Sequence, residues 1–432
     1  MPFRAPRGVS DLLPAVAHAH LWIDSIADTV FSRYGYSLIE TPIFEQTEVF
    51  VRGIGEATDV VGKEMFGVYS AAAAAKLAAS EPLKADELLS MRPEGTAGVA
   101  RAIVQQGLVT PGSPAMKLWY TGPMFRHERP QKGRLRQFHQ IGAECIGAAE
   151  PSADAEVIIM LMRFFEALGL PCEQMRLYVN SMGDSACRPA YREALRAFIL
   201  ANTEGLCDEC VRRAETNPLR AFDCKNPACA EIMAQAPQIN KALCEDCAGH
   251  YASVLSLLDA SGIAYEENPR LVRGLDYYTR TVFEVQVDAG LGSQNAIGGG
   301  GRYDGLIEEF GGKPTPGLGF AVGIERILLT LEAQGIFVGS VPAPDVFVAA
   351  VDDETRAAAF SIAQMLRDAG ISAELDHQGR SLKSQFKLAD KLGVFWVVVL
   401  GPDELASGNV TLRSMETREE RHIPVNELIE TL

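Results

Sequence analysis

Apolar residues near the start of the chain recur at roughly helical spacing. The helix predicted over residues 14–33 would bury a face formed by Leu21, Ile23, Ile26 and Val30. Gly35 would end this helix, because glycine readily takes the left-handed conformation found after helix ends. A short strand is predicted over residues 36–40, stopped by Thr41 and Pro42.

The middle of the chain alternates strands with helices. Residues 116–120 and 137–144 are predicted strands, and the loop between them carries the basic stretch 126–136. A helix follows over residues 153–168, ended by Gly169. Strand patterns return at residues 281–287, a glycine run covers 298–301, and residues 317–323 lead into a helix from Ile324.

Two stretches differ from their surroundings. Residues 171–261 are rich in cysteine, mostly helical in pattern and poor in strand signals, so they are interpreted as an insertion. Residues 70–80 are rich in alanine and form either a surface helix or a disordered insert; we favour a dispensable excursion from the fold.

The carboxy-terminal part follows a linker at residues 341–344. Strands and helices then alternate, with predicted strands at 346–351, 371–375, 395–400 and 410–413 and helices at 354–369 and 381–392. Such alternation predicts a small α/β domain over residues 343–432 with a largely parallel sheet.

Composition narrows the class of protein. The 432 residues are 47% hydrophobic and 22% charged, which is typical of a globular chain of two to four domains. No apolar stretch approaches the roughly 20 residues that span a bilayer, and the first residues do not resemble a signal peptide, so a cytoplasmic protein is expected. The net charge of −16 argues against a protein that coats nucleic acid through bulk positive charge, but a local basic patch can still bind phosphates.

The basic stretch 126–136 is the main candidate for phosphate binding. Arginine stays charged and its planar fork of donors pairs with phosphate in a bidentate way. Arg126 would be held at the strand end, whereas Arg129, Lys132 and Arg134 would lie on the more mobile part of the loop. Phe138 on the returning strand could stack on a purine. The alternative is an ordinary solvated hairpin.

Three further segments carry candidate chemistry. Glycines over residues 317–323 would let a ligand approach the strand and face Arg326, although a tight strand-to-helix turn explains them equally well. Residues 271–280 place two arginines and two tyrosines close together, which suits an anion beside a polar ring. Residues 92–96 offer a carboxylate and a hydroxyl that could hold an ammonium group, or a capping box with Thr96 as the N-cap.

These segments resemble, in order, the motifs of the histidine family of class II aminoacyl-tRNA synthetases. Residues 42–45 look like motif 1, residues 125–144 like motif 2 and residues 317–326 like motif 3. Residues 92–96 and 271–278 resemble the two segments that mark histidine specificity within the class. The matches spread over essentially the whole chain.

The resemblance implies an α+β catalytic domain with an antiparallel sheet of six or seven strands flanked by helices. It further implies a helical insertion, a carboxy-terminal α/β anticodon-binding domain and a homodimer formed through motif 1. The expected divisions are 1–170 and 262–335 for the two parts of the catalytic core, 171–261 for the insertion and 343–432 for the anticodon-binding domain.

The resemblance also assigns roles to individual residues. The catalytic positions would be Arg126, Arg273 and Arg326. The histidine-binding positions would be Glu94, Gly95, Thr96, Gln140, Glu144, Tyr277 and Tyr278. The ATP-binding positions would be Arg126, Arg136, Phe138 and Arg326. The candidate tRNA contacts would be Arg129, Gln131 and Arg380.

The implied reaction has two steps. Histidine and ATP, with Mg²⁺ as part of the ATP complex, would give histidyl-adenylate and pyrophosphate, and histidine would then pass to the terminal adenosine of tRNA(His). The main alternative is a non-catalytic histidine-binding paralogue that regulates histidine biosynthesis. Such paralogues usually lack the anticodon domain and depart from the catalytic motifs, both of which this chain retains.

Six of the nine cysteines lie between Cys207 and Cys247. Because tetrahedral zinc favours paired thiolates, one structural zinc is a hypothesis for the two CxxC pairs. Its ligands would be Cys207, Cys210, Cys244 and Cys247. The alternative is a set of buried free thiols, and the family resemblance itself gives no support for a metal.

Overall fold

The computed structural model describes residues 3–55, 58–110, 112–272, 277–288, 290–291, 295–336, 338–339 and 341–432, with the side chain of Asp223 left out. The chain divides into two compact units, Met1–Gly339 and Ser340–Leu432. Among the described residues, no helix is both long enough and apolar enough to cross a membrane.

The first unit contains most of the elements. Its helices are α1 (Pro14–Ser32), α2 (Thr47–Ile54), α3 (Ala71–Ala78), α4 (Thr96–Gln106), α5 (Pro151–Ala167), α6 (Arg188–Ala201), α7 (Asp208–Thr216), α8 (Pro227–Met233), α9 (Glu245–Ala260), α10 (Leu306–Glu309) and α11 (Ile324–Ala333). Its strands are β1 (Ser37–Leu38), β2 (Phe44–Gln46), β3 (Gly67–Val68), β4 (Leu89–Met91), β5 (Met116–Phe125), β6 (Gln137–Ile146), β7 (Met175–Ser181), β8 (Glu266–Glu267), β9 (Thr279–Val287), β10 (Ala296–Arg302) and β11 (Gly317–Gly323).

The main sheet of this unit has, within the described ranges, eight strands in the order β1-β5-β6-β11-β10-β9-β7-β8. The six inner strands from β5 to β7 pair antiparallel, and the short edge strands β1 and β8 pair parallel to their neighbours. An antiparallel sheet of six or seven strands was expected. The six inner strands confirm the antiparallel pairing, and the two parallel edge strands bring the described sheet to eight strands.

Alternation along the inner strands separates two faces of the sheet. On β6, Ile141, Ala143 and Cys145 join the core that also contains the buried residues of α1, α5 and α9. Because successive strand residues point to opposite faces, Gln140 and Glu144 lie on the other face. The helices α1, α5 and α9 thus cover one face of the sheet. On the other face, which carries Gln140 and Glu144, the helices α4 and α6 pack with Leu118, Tyr120 and Ile146 in a second core.

A buried ion pair fastens α5 to the sheet. The Arg302 guanidinium at the end of β10 donates to both carboxylate oxygens of Asp154 on α5, with Nε 3.1 Å from Oδ1, and only 1% of each side chain is exposed. His250 Nε2 on α9 lies 3.3 Å from the same carboxylate. Burial raises the pKa of Asp154, but its hydrogen bonds with His250 and Arg302 outweigh this and leave the pKa below its usual value.

Two sequence expectations need correction. Residues 175–181, placed in the insertion, form strand β7 of the main sheet, paired with β9, so the helical excursion starts later than residue 171. The end of the predicted insertion also belongs to the core, because α9 contributes buried residues beside α5. Of the two alternatives for the alanine-rich stretch, the structure has the helix, α3, in which Ser70 caps the Ala73 N–H.

The second unit is an α/β domain. Its helices are α12 (Arg356–Asp368), α13 (Leu382–Leu392), α14 (Pro402–Ser407) and α15 (Leu428–Thr431), and its strands are β12 (Val346–Ala350), β13 (Ala373–Leu375), β14 (Trp396–Leu400), β15 (Asn409–Ser414) and β16 (Glu420–Pro424). The described sheet has the order β13-β12-β14-β15-β16. Only β13, β12 and β14 are parallel; β15 and β16 form an antiparallel hairpin, so the expected largely parallel sheet is in fact mixed.

The buried ion pair generates a prediction about stability. Asp154→Ala leaves the Arg302 charge buried without its main partner, so we expect the free energy of unfolding to fall by about 3–5 kcal/mol. Urea unfolding followed by circular dichroism measures the change. Asp288→Ala is the control, because Asp288 pairs with Arg176 at the surface and such pairs contribute at most about 1 kcal/mol. Equal losses in the two variants would contradict the structural role of Asp154.

Candidate active site

A cavity of about 300 Å³ lies on the face of the main sheet that carries Gln140 and Glu144. It is lined by side chains or backbone of Val60, Glu94, Thr96, Arg126, Arg134, Gln140, Glu144, Tyr277, Tyr278, Gly299, Tyr303, Gly319, Phe320 and Ala321. Six of the seven histidine-binding positions expected from the sequence therefore line one cavity, and Arg126 lines it with them.

Small residues on β11 make room for this cavity. Gly319 lies directly across from Glu144 in the strand pairing, and its neighbours Leu318 and Phe320 belong to the core on the opposite face. A Cβ atom at Gly319 would lie 1.9 Å from Glu144 Oε2. Glycine is therefore required at this position, because any side chain would collide with the carboxylate.

Glu144 is the centre of the hydrogen-bond network, with only 1% of the residue exposed. Thr96 Oγ1 donates to its Oε1 over 2.6 Å, and the Tyr120 hydroxyl lies 3.4 Å from the same oxygen. The Tyr303 hydroxyl donates to Oε2. Because hydroxyl groups from α4, β5 and the end of β10 converge on one carboxylate, its position in the cavity is fixed.

Burial also changes the acidity of Glu144. The cost of holding a charge away from water raises its pKa to about 8, although the hydrogen bonds from Thr96 and Tyr303 oppose the shift. A perturbed carboxyl in a cavity with converging polar groups is typical of functional sites.

Glu94 caps helix α4 from the turn that precedes it. Its carboxylate accepts hydrogen bonds from the backbone N–H groups of Thr96 and Ala97, each over 2.8 Å. Thr96 is therefore not the N-cap that the sequence suggested; it begins the helix and directs its hydroxyl to Glu144. Gly95, the remaining histidine-binding candidate, leaves space for the Tyr120 ring, since a Cβ there would lie 2.2 Å from a ring carbon.

The rest of the cavity offers groups for a polar ligand. The side-chain carbonyl oxygen of Gln140 is buried and has no hydrogen-bond partner within the described structure. The rings of Tyr277 and Tyr278 lie 4.7 Å apart between centroids, and Tyr277 also packs edge-on against Tyr303. The unpaired Gln140 oxygen is available to a donor on a ligand.

Arg126 and Arg134 line the cavity, and Arg326, which is not among the lining residues, lies near Arg134. The Arg126 Nε donates to the Pro93 carbonyl over 2.9 Å, and its guanidinium carbon lies 5.3 Å from the centroid of the Phe138 ring. Arg326, near the start of α11, donates from Nε to the Ala296 carbonyl over 2.7 Å. Burial lowers the pKa of Arg326, and the nearby charge of Arg134 lowers it further. Two neighbouring cations are favourable when an anion binds between them.

The loop between β5 and β6 positions the remaining motif 2 candidates. Gln131 and Arg134 exchange backbone hydrogen bonds of 3.0 and 2.9 Å, which close a tight turn at its tip. Arg129 and Gln131 are exposed there. Arg136 is tied down at the base, because its N–H donates to the Gly8 carbonyl over 2.8 Å and its Nε to the Glu128 carbonyl over 3.3 Å.

The remaining two arginine candidates are Arg273 and Arg380. Arg273 falls outside the described residues. Arg380, in the second unit, donates from its guanidinium to Asp376 over 2.6 Å. Its charge is thus already paired with a neighbouring carboxylate.

The structure does not bring the two CxxC pairs together. Cys207 and Cys210 group with Cys224 and Cys229, whereas Cys244 and Cys247 group with Asp184 and Cys187. The single four-cysteine zinc site expected from sequence is therefore corrected to two separate groups.

Two residues of the site were missed by the sequence analysis. Tyr303 follows the glycine run and Arg302 directly, and its hydroxyl bonds to Glu144. Tyr120 lies in a predicted strand of mostly apolar residues. The strand pattern places Tyr120 on a face, but only the three-dimensional pairing of β5 with β6 shows that it approaches Glu144.

Comparison with known proteins agrees with the geometry. Residues 8–327 match the family model of histidyl-tRNA synthetase, and residues 345–432 match that of the anticodon binding domain. The chain is 48% identical to a histidine--tRNA ligase of Anaeromyxobacter sp. (strain K) over 431 residues, covering 99% of both chains. It is 46% identical to the enzyme of the same name from Moorella thermoacetica, covering 98% of this chain and 96% of the relative.

Solved structures show the same fold. The apo histidyl-tRNA synthetase of S. aureus is 35% identical, with a TM-score of 0.82 and coverage of 100% of this chain and 99% of that one. A Bacillus halodurans structure described as an ATP phosphoribosyltransferase regulatory subunit/histidyl-tRNA synthetase is 20% identical with a TM-score of 0.64, covering 93% of this chain and 99% of that one, and shows a shared fold alone.

The raised pKa of Glu144 predicts how stability depends on pH. Because folding raises this pKa from 4.5 to about 8, the folded chain binds more protons than the unfolded chain between these values. The contribution of this extra proton to the free energy of unfolding is fully present below about pH 4.5. It is lost as the pH rises toward 8, by at most about 1.4 kcal/mol per pH unit. We expect Glu144→Gln to reduce this loss.

The measurement is urea unfolding of wild type and variant across this pH interval. Glu193→Gln is the control, because the Glu193 side chain is 70% exposed, and its pH slope should match that of wild type. Identical slopes for wild type and Glu144→Gln would show that Glu144 does not hold an extra proton in the folded chain.

Proposed function

The chain belongs to the histidyl-tRNA synthetase family, and we propose that its cavity activates histidine with ATP and that the chain then transfers histidine to the terminal adenosine of tRNA(His). The chain is thus a histidine--tRNA ligase. The observation that carries the proposal is the single cavity that unites the buried carboxylate of Glu144 with the guanidinium of Arg126.

Histidine recognition is assigned to the polar end of the cavity. Neutral imidazole carries one donor and one acceptor. Glu144 would accept the donor, and the hydroxyls of Tyr277 and Tyr278 lie on the same cavity. A site whose buried polar groups are satisfied only by the correct side chain rejects analogues that lack those groups by large factors.

The α-amino group of histidine is assigned to Glu94, Thr96 and Gln140. The Gln140 oxygen is buried and without a partner in the described structure, so it can accept a hydrogen bond from an ammonium group. Glu94 adds a carboxylate. Burial raises the pKa of Glu94, and the hydrogen bonds from two backbone N–H groups of α4 only partly oppose this rise. The ammonium group would further favour the ionised form of Glu94.

Activation requires positioning and charge neutralisation rather than a general base. The histidine carboxylate is already ionised at neutral pH and attacks the α-phosphorus as pyrophosphate leaves. Arg126, Arg326 and Arg273 are proposed to stabilise the charge on the phosphates. The carbonyl bonds of Arg126 and Arg326 hold these two side chains before ATP binds. ATP enters as its Mg²⁺ complex.

The adenosine part of ATP is assigned to Phe138 and Arg136. The guanidinium carbon of Arg126 lies 5.3 Å from the centroid of the Phe138 ring, so a purine stacked on this ring would lie close to Arg126. Arg136 is fixed by the base of the loop and supplies a further positive charge.

Transfer to tRNA is assigned to exposed residues of both units. Arg129 and Gln131 lie exposed on the loop between β5 and β6, where the terminal nucleotides of tRNA would reach the cavity. Residues 343–432, within the second unit, are proposed to bind the anticodon. Arg380 is the candidate there, with its charge shared by Asp376.

The proposed domain organisation follows from these assignments. Residues 1–170 and 262–335 form the catalytic core, and the strand β7 and helix α9 from the expected insertion join it. The remaining helical segment between them is the insertion.

A homodimer is proposed from apolar residues exposed around motif 1. Ile43 and Phe44 are 44% and 52% exposed, and Leu38 on the edge strand β1 is 51% exposed. Exposed apolar residues clustered on one surface are typical of a protein interface.

Two expectations remain, the regulatory paralogue and the location of the protein. The regulatory-paralogue hypothesis is not favoured, because the chain matches full-length ligases and contains the anticodon-binding domain. A cytoplasmic location stays a prediction from the sequence.

The catalytic proposal is tested by histidine-dependent exchange of labelled pyrophosphate into ATP, with each amino acid supplied in turn. We expect exchange with histidine alone. Arg126→Ala should lower kcat by about 10²- to 10³-fold, because it removes a fixed charge from the reacting phosphate. Arg163→Ala on the surface of α5 is the control and should keep wild-type exchange. Folded protein that exchanges with no amino acid would overturn the enzymatic proposal.

The dimer proposal is tested by sedimentation velocity. We expect wild type to sediment at twice the chain mass and Phe44→Asp to shift toward the monomer, because a charge would be buried in the interface. Phe360→Asp is the matched control, since Phe360 is 50% exposed on α12 of the second unit. A monomeric wild type, or equal dissociation of both variants, would refute an interface at motif 1.

A further inference from the structure

The cysteines of the helical insertion form two compact groups that the proposed reaction does not use. In each group, the four possible ligand atoms all lie within 4.8 Å of one another. The first group is Cys207, Cys210, Cys224 and Cys229, and the second is Asp184, Cys187, Cys244 and Cys247.

The spacing of the first group fits a tetrahedral zinc ion. A Zn–S bond of ~2.3 Å places two thiolates of a tetrahedron about 3.8 Å apart. The Cys207 and Cys224 sulfur atoms are 3.8 Å apart. A disulfide would need a separation of about 2.05 Å, so these thiols are not paired covalently.

The backbone of the first group favours thiolate ligands. Cys207 directly precedes helix α7, and the backbone N–H of Cys210 in its first turn donates to the Cys207 sulfur. The N–H of Cys207 donates in turn to the Cys229 sulfur over 3.2 Å. A helix N-terminus and N–H···S bonds stabilise negative charge on sulfur, which zinc ligation requires.

The second group repeats this arrangement with an aspartate in place of one cysteine. Cys244 directly precedes α9 and accepts a bond from the Cys247 N–H, as Cys207 does from Cys210. The Cys187 and Cys247 sulfur atoms are 3.9 Å apart, again close to the tetrahedral spacing.

The aspartate of the second group is oriented for ligation. Asp184 Oδ1 lies 3.6 Å from the Cys187 sulfur and 4.0 Å from the Cys244 sulfur. Its other oxygen, Oδ2, accepts a hydrogen bond from Arg280 on β9 over 3.4 Å. Outer partners of this kind fix the direction of a metal-binding carboxylate. Oδ1 also accepts a bond from the Ala186 N–H over 3.0 Å and faces the sulfurs of the group.

We propose that the insertion binds two structural zinc ions, one in the four-cysteine group and one in the group of Asp184 with three cysteines. Soft thiolates in a compact tetrahedral arrangement select zinc over magnesium or calcium. A [2Fe–2S] or [4Fe–4S] cluster does not fit, because its four ligands are divided among two or four irons and could not all lie within 4.8 Å of one another.

The positions of the two groups give each ion a separate structural role. The second group joins Asp184 and Cys187 at the start of the insertion to Cys244 and Cys247 at its end, so an ion there would clamp the base of the insertion. The first group lies within it and would join α7 to the segment around α8. The insertion consists of short helices, and small helical segments with little core commonly depend on a metal for stability.

The test is metal analysis of the full-length chain, purified without chelator from zinc-sufficient medium. Inductively coupled plasma mass spectrometry should find two zinc ions per chain, and native mass spectrometry should show the matching mass. Cys210→Ser and Cys247→Ser should each reduce the content to one, and the double variant to none. Cys172→Ser is the control, because Cys172 is exposed and belongs to neither group, and it should retain both ions.

Several outcomes would overturn the proposal. Folded wild-type protein without zinc, or with iron in its place, would exclude zinc sites. One zinc per chain, or loss of all zinc in either single variant, would contradict two independent sites.

A measurement on wild type alone covers the case in which a variant does not fold. Titration with an organomercurial should release two zinc equivalents, detected with a chromogenic chelator, and circular dichroism should lose helix signal as they leave. Release of zinc with no loss of structure would show adventitious binding and contradict the structural role.

Discussion

The site depends on one constraint, the burial of the Glu144 carboxylate among hydroxyl donors. Thr96 and Tyr303 donate to it, and no side chain larger than glycine fits at position 319 beside it. Because an unpaired carboxylate would be costly in this environment, the start of α4, the strand β6 and the end of β10 must stay in register around it. The same carboxylate is the group proposed to select histidine, so the stability of the core and the specificity of the site rest on shared contacts.

The two kinds of chemistry in the cavity are supplied by different elements. The polar groups proposed to bind the amino acid come from the sheet and the α4 turn, whereas the described arginines proposed to bind ATP come from the end of β5, the loop after it and the start of α11. The sheet holds the first set rigidly. Arg126 is positioned by its bond to the Pro93 carbonyl, and Arg326 is positioned by its bond to the Ala296 carbonyl.

Much of the arrangement of the cavity could be predicted from the sequence. Period-two alternation on β6 places Gln140 and Glu144 on one face, and glycines on β11 signal open space opposite them. Tyr303 could not be predicted in this way, because its approach to Glu144 depends on the pairing of β10 with β11 and of β11 with β6. The prediction of one zinc site from both CxxC pairs was wrong for a related reason. Sequence spacing shows which thiols are close within a pair, but the fold decides which pairs meet. Here the fold brings Asp184 to the pair of Cys244 and Cys247. The strand β7 was missed because the cysteine-rich helices around it dominate the local composition.

The most direct test of the central claim is a crystal structure of the chain with bound histidine. The account predicts the imidazole within hydrogen-bond distance of Glu144, beside Tyr277 and Tyr278, with the amino group at Glu94 and Gln140. Histidine bound with its imidazole away from Glu144, or outside this cavity, would contradict the claim that this buried carboxylate selects the substrate.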